Sequence, residues 1–93
     1  MKDKSLIEIF KKLGTYRILK AEIAWQRQNW GKPDAPKQPV SGWVDYMASH
    51  VIKAQKALES GDEQGAMEQV RILTAVGVAA MLSNPPKERD AKA

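Results

Sequence analysis

The sequence predicts an all-α protein, a small bundle of three to four helices. Apolar residues recur at helical spacing on both sides of one proline-rich stretch, and no segment alternates polar and apolar residues as a strand would. A chain of 93 residues is long enough for one core. We therefore expect a single helical domain over residues 1–84 and a charged, flexible tail over residues 85–93.

The first helical region is indicated by a capping signal and a long apolar rhythm. Ser5 followed by Glu8 has the capping-box spacing. The apolar positions that follow are Leu6, Ile7, Ile9, Phe10, Leu13, Tyr16, Ile18, Leu19, Ile23 and Trp30. This spacing predicts one long or kinked helix over residues 6–29. Gly14 either breaks that helix or is tolerated inside it.

A loop and the clearest helix of the sequence come next. Residues 31–42 contain three prolines and no apolar period, which predicts a loop. Ser41 is the expected N-cap of the second helix. The apolar stripe of that helix is Trp43, Met47, Val51, Ala54 and Leu58, and Ser60 with Gly61 ends it.

The third helix is expected from residue 63 to about residue 82, with Asp62 as its N-cap. Met67, Val70, Leu73 and Gly77 mark one face, but residues 72–82 are apolar nearly all round. A helix of this kind is normally buried on every side, and so short a chain cannot surround it. The pattern predicts a homodimer or higher oligomer formed through the last two helices. Asn84, Pro85 and Pro86 end the helix.

The amino-acid composition limits which kinds of site and partner the protein can have. There is no Cys, which excludes disulfides, thiolate nucleophiles and thiolate metal sites. No uninterrupted apolar run reaches the roughly 18 residues that cross a bilayer, so we expect a cytoplasmic protein without membrane contact. The net charge of +4 is a mild excess that permits nucleic-acid binding without requiring it.

Several residues resemble a known family. Glu22, Gln26, Trp30 and Gly31 are similar to the E-x-x-x-Q-x-x-x-W-G stretch of phage and prophage members of the MazG-like nucleotide pyrophosphohydrolases. Residues 43–58 resemble the W-x-x-x-L-x-x-E-x-x-E-x-x-K-A-L helix of that family, and residues 67–82 its closing apolar helix. The resemblance covers residues 22–82 and implies a helical, phage-derived protein of a family that hydrolyses nucleoside triphosphates with Mg²⁺.

The chain departs from that family where the family holds its metal. Mg²⁺ prefers carboxylate oxygens, but His50 and Lys53 occupy the E-x-x-E positions. The second pair falls on Gln69 and Ile72 or, one residue earlier, on Glu68 and Arg71. The resemblance thus implies a degenerate, non-catalytic member with no metal or cofactor.

Binding residues follow from the same comparison. Such a member would bind a nucleotide-like anion, with Lys53 and Arg71 meeting its phosphates, or a protein partner. The candidate ligand-binding residues are Glu22, Gln26, Trp30, Lys53, Glu68 and Arg71. The expected partners are a second copy and a phosphate-containing ligand.

Alternative readings stay open. A rearranged site using Glu22, Glu68 and Glu63 would make the chain an active, Mg²⁺-dependent pyrophosphohydrolase. The basic residues Lys11, Lys12, Arg17, Lys20 and Arg27 would make it a small nucleic-acid-binding regulator. The tryptophans Trp25, Trp30 and Trp43 either stack on a base or, as we favour, pack in the core or between subunits. His50, the only histidine, is expected at an ordinary polar helix position.

Overall fold

The computed structural model describes residues 3–31 and 38–89, with the side chains of residues 3–7 and 10–12 outside the description. These residues form three helices, α1 (Asp3–Trp30), α2 (Val40–Glu59) and α3 (Glu63–Ser83), and the two ranges contain no strand. The all-α prediction is confirmed.

Helix α1 is continuous, because it contains no proline and Gly14 stays in helical conformation. The helix already includes Asp3, so Ser5 lies inside it and the predicted capping box is wrong. The helix ends at Gly31, which adopts a φ of 92° and donates its backbone N–H to the Arg27 carbonyl at 3.1 Å. A left-handed glycine is a common helix terminator because it lacks a Cβ.

Helix α2 begins earlier than its sequence suggested. Its N-cap is Pro39, whose carbonyl accepts from the backbone N–H groups of Gly42 at 3.0 Å and Trp43 at 3.3 Å. The predicted Ser41 cap is therefore wrong, because Ser41 lies within the first turn and no side chain caps this helix. Of the predicted loop, residues 32–37 lie outside the described residues.

A tight turn joins α2 to α3. Gly61 has a φ of 80°, and the Asp62 carboxylate accepts the backbone N–H of Gly65 at 2.8 Å. The predicted Asp62 N-cap is confirmed. Helix α3 ends at Ser83 with Asn84 as its C-cap, close to the predicted end. Residues 85–89 have no regular structure, and the remainder of the predicted tail lies outside the described residues.

Helix α3 is the centre of the fold. Helices α1 and α2 each pack against α3, whereas in the described residues their own backbones do not approach each other. Among the side chains that the structure describes, the buried apolar ones are few and small: Ala66, Ala75 and Val76. Two outer helices resting on one central helix leave a space between them, and this space positions the site.

The buried face of α2 differs from the predicted stripe. Trp43, Met47 and Ala54 face inward as expected, but Val51 and Leu58 are exposed. His50 and Ala57 occupy the buried side instead. The face is rotated because His50 finds a polar partner on α3, which a count of apolar residues does not reveal.

Helix α3 is not covered within one chain. Val78, Ala79 and Ala80 are half-buried, and Met81 and Leu82 are exposed. The helix also contains an 18-residue window of mean hydropathy 1.3, so by length and composition alone it could cross a membrane. The core helix of a soluble protein passes the same test, which makes this weak support for a membrane location.

Candidate functional site

A buried polar cluster joins α1 to α3. Glu22 and Gln26 lie one turn apart on α1 and are only 9% and 6% exposed. The Gln26 side-chain amide donates to Glu22 Oε2 at 2.9 Å and to the Ile72 carbonyl at 3.3 Å. Arg71 Nε lies 3.2 Å from Glu22 Oε1 in an ion pair. One carboxylate oxygen of Glu22 therefore accepts a hydrogen bond, and the other has only the charge of Arg71 beside it, because Arg71 Nε makes no hydrogen bond.

Arg71 also binds a second carboxylate. Its Nη2 group donates to Glu68 Oε2, three residues earlier on α3. The guanidinium thus lies between two carboxylates, those of Glu22 and Glu68. Among the described residues, no three acidic or histidine side chains lie close enough together to hold a metal ion. These donors do not fit Mg²⁺, because the cationic group among them is a side chain of the protein.

His50 is buried, contrary to the expectation of an ordinary polar position. It is 5% exposed, and its Nδ1 lies 2.7 Å from Gln69 Oε1 across the α2–α3 interface. Its other ring nitrogen, Nε2, is buried without a hydrogen-bond partner in the described structure. The ring of Tyr46, one turn earlier on α2, packs edge-on against the His50 ring at 4.8 Å.

A groove with aromatic walls lies between α1 and α2, and it is larger than a second hollow that lies beside Arg71. Its volume is about 710 Å³, and α3 forms its floor. The walls include Trp30 and Tyr46, whose rings meet edge-to-face at 5.9 Å. The other lining residues are Ile23, Gln26, Arg27, Gly31, Gln38, Gly42, Trp43, Asp45, Ser49, Ala75, Val76, Val78, Ala79 and Leu82. We call this the aromatic groove.

The groove and the polar cluster share Gln26, which closes one side of each. No protein-family model, curated protein or solved structure matches this chain. Function therefore has to be inferred from the groove and the cluster themselves. A cavity of this size, with aromatic walls and a few polar groups at its edge, is typical of binding sites.

The structure brings together some of the residues predicted from the sequence and separates others. Glu22, Gln26, Glu68 and Arg71 meet in the cluster, and Trp30 lies in the groove. Lys53 is exposed on α2 and lines neither the groove nor the smaller hollow beside Arg71. The joint anion site of Lys53 with Arg71 stays a prediction.

The other two alternatives are assembled only in part, since Glu22 and Glu68 of the rearranged metal site both contact Arg71. Glu63 is exposed at the start of α3, and no hydrogen bond or ion pair of the described residues joins it to Glu22 or Glu68. Of the basic residues of α1, Arg17 and Lys20 are exposed, Arg27 lines the groove, and the side chains of Lys11 and Lys12 lie outside the description.

Trp25 lies on the opposite side of the cluster from the groove. It is 52% exposed and lines a smaller hollow together with Ile18, Ala21, Glu22, Arg71 and Ile72. The Trp25 and Trp30 rings contact each other edge-on near the C-terminal end of α1, with 5.7 Å between their centroids. Trp25 is consequently a surface aromatic in a single chain, and the prediction of a packed core position does not hold for it.

Sequence reasoning missed Tyr46, Arg27 and Asp45 as lining residues of the groove. A signal for Tyr46 was present, because it follows Trp43 by three residues and precedes His50 by four, which places all three on one side of α2. Arg27 and Asp45 carried no such signal. Whether they line a groove depends on the distance between α1 and α2, which spacing within one helix does not define.

Proposed function

We propose that the chain is a non-catalytic, MazG-like helical protein that acts by binding, with the aromatic groove holding a helix of a second copy. The ion pairs of Arg71 with Glu22 and Glu68 support the non-catalytic part, since they use the carboxylates that a metal would need. The aromatic groove is the observation that carries the binding part.

The chemistry of the groove suits an apolar helix. Its floor contains Ala75 and Ala79, small residues that let another helix approach α3, while Trp30 and Tyr46 offer large apolar surfaces at the sides. Aromatic residues are enriched at protein interfaces, where they contribute much of the binding energy. Few charged groups line the floor, so an apolar helix that binds there would remove few charges from water.

Total surface supports a second copy as the source of that helix. The chain exposes 7698 Å². A compact chain of the same mass would expose roughly 5,400 Å², so about 2,300 Å² is in excess. This excess is larger than the roughly 800 Å² that each partner buries in a standard interface. Burying it would cover the sides of α3 that one chain leaves open.

Sedimentation velocity tests this proposal. We expect the wild-type chain to sediment as a dimer or larger species. Ala79→Glu should shift it to monomer, because the charge would be buried on the groove floor without a partner. Lys53→Glu, on exposed α2 surface outside the groove, is the matched control and should leave the assembly unchanged. Unchanged assembly in Ala79→Glu, with circular dichroism showing intact helices, would refute the role of the groove.

A nucleotide-like ligand is the second candidate for the same groove. Trp30, Trp43 and Tyr46 offer rings for a base, and the Arg27 guanidinium could meet a phosphate. Titrating ATP without metal and following tryptophan fluorescence tests it. Binding that is lost in Arg27→Ala and kept in Arg17→Ala, an exposed position outside the groove, would favour the ligand.

Turnover separates binding from catalysis. With Mg²⁺ and a panel of nucleoside triphosphates, we expect no release of pyrophosphate above a blank. Robust release that disappears in Glu68→Ala would instead support the rearranged-site enzyme. The nucleic-acid alternative predicts binding that weakens steeply as salt rises, because it would depend on phosphate contacts of the basic α1 residues.

A further inference from the structure

Among the described residues, the first half of α1 makes no hydrogen bond or ion pair to α2 or α3, and only Ile18 at its end lines a hollow with α3 residues. Every side chain described between residues 8 and 18 is exposed, including Ile9, Leu13 and Tyr16. All hydrogen bonds and ion pairs described between α1 and α3 start from Glu22 or Gln26 in its second half. Helix α1 has 28 residues and α2 has 20, so α1 is about 42 Å long and α2 about 30 Å.

This half of α1 nevertheless carries an apolar stripe that needs a partner. Ile9, Leu13 and Tyr16 follow each other at steps of four and three, so they share one face. A helical segment of this length is marginal in water by itself and gains most of its stability from packing such a face. We call residues 3–18 the α1 arm.

The stripe of the arm continues into the aromatic groove. Ile9, Tyr16, Ile23 and Trp30 are spaced at intervals of seven residues, which keeps them nearly on one line along the helix. Ile23 and Trp30, the last two, line the groove. One face of α1 is therefore a wall of the groove at one end and a bare apolar strip at the other.

We infer that the α1 arm of a second copy occupies the aromatic groove, and that the exchange is reciprocal. This inference rests on the proposed binding role of the groove and names its occupant. A two-fold axis across antiparallel α1 helices places each arm against the partner's groove, since such an interface uses the same surfaces twice. The arm supplies Ile9, Leu13 and Tyr16, and the groove supplies the walls that an apolar helix lacks in water.

Two matched substitutions on the arm test the occupant. Leu13→Glu changes the apolar face, whereas Thr15→Glu adds the same charge two residues later, on the other side of the helix. Both positions are exposed in a single chain, so neither should disturb its fold. We expect Leu13→Glu to raise the dimer dissociation constant at least tenfold and Thr15→Glu to leave it nearly unchanged.

Cross-linking gives an independent readout, because the chain has no cysteine of its own. A Tyr16→Cys chain mixed with an Asp45→Cys chain should form a mixed dimer with a short bismaleimide, since Asp45 lines the groove. Lys53→Cys, on the same helix but outside the groove, is the control partner and should react much less.

The outcomes separate the two proposals. If Ala79→Glu dissociates the assembly and Leu13→Glu does not, the groove holds another segment and this inference is overturned while the proposed function stands. If neither substitution changes the assembly, the proposed function fails as well. Equal cross-linking of Asp45→Cys and Lys53→Cys would also overturn the inference.

Discussion

At the scale of single residues, the Glu22 carboxylate is the group whose burial must be compensated. It is 9% exposed and depends on Arg71 and Gln26 for partners. Arg71→Met would leave the charge with Gln26 alone, so we expect the free energy of unfolding to fall by about 1–3 kcal/mol. The lower end of the usual range applies because Arg71 is 38% exposed and water screens the pair. Urea unfolding at one protein concentration measures this.

A substitution of Glu68, the exposed partner of Arg71, is the control for that prediction. Glu68→Gln removes an ion pair that water already screens, so we expect a loss below about 0.5 kcal/mol. Replacing both members of the ion pair, in Glu22→Leu with Arg71→Met, should recover most of the stability lost in Arg71→Met. An Arg71→Met chain as stable as wild type would show that the ion pair does not hold α1 on α3.

The sequence identified most residues of the polar cluster but not their roles. The spacing of Glu22 with Gln26, and of Glu68 with Arg71, places each pair on one helix face, and the structure confirms that these faces meet. Periodicity does not define how far a helix is rotated about its own axis. Lys53 was therefore expected beside Arg71, although α2 turns His50 inward and leaves Lys53 in solvent.

At the scale of helices, the one start that a side chain caps could be predicted, whereas the starts of α1 and α2 could not. The Asp62 carboxylate accepts from Gly65 N–H at 2.8 Å, as the sequence suggested. The starts near Ser5 and Ser41 were misplaced, because α1 extends past its polar signal and α2 is started by Pro39. A helix start without a side-chain cap is not marked by a particular residue type in the sequence.

This difference predicts opposite results for two cap substitutions. Asp62→Ala should lower the free energy of unfolding by about 1 kcal/mol, because the α3 N-terminus loses its side-chain acceptor. Ser41→Ala should change it by less than about 0.5 kcal/mol, since Ser41 caps nothing. Thermal melts of both variants at equal concentration compare them directly. A larger effect at Ser41 would contradict the cap assignment.

The continuity of α1 makes Gly14 a position for stabilisation. A Cβ added there meets no atom within 4 Å, and the residue is helical. Gly14→Ala should raise the free energy of unfolding by about 0.5–1 kcal/mol, since alanine loses less backbone entropy in a helix. Gly61→Ala should lower it by a similar amount or more, because Gly61 has a φ of 80°. A destabilised Gly14→Ala would indicate that α1 bends there.

At the scale of the whole molecule, the sequence predicted that one chain would not cover all sides of α3. It did not predict where the aromatic groove would form. Helix α3 is apolar on more sides than its two neighbours cover, which its residues alone indicated. The aromatic groove arises because α1 and α2 rest on α3 without approaching each other. A gap between helices distant in sequence is a tertiary property, and no local pattern encodes its width.

The proposed assembly would make the thermal stability of the protein depend on its concentration. If folded dimers unfold to single chains, mass action raises the midpoint of unfolding as protein concentration rises. For two chains of 93 residues unfolding together, we expect about 3–4 °C for each tenfold increase in concentration. Calorimetric melts over a hundredfold range measure this. Leu13→Glu should remove the dependence, and Thr15→Glu should keep it. A wild-type midpoint that stays constant over that range would mean that the aromatic groove and the α1 arm remain open in solution.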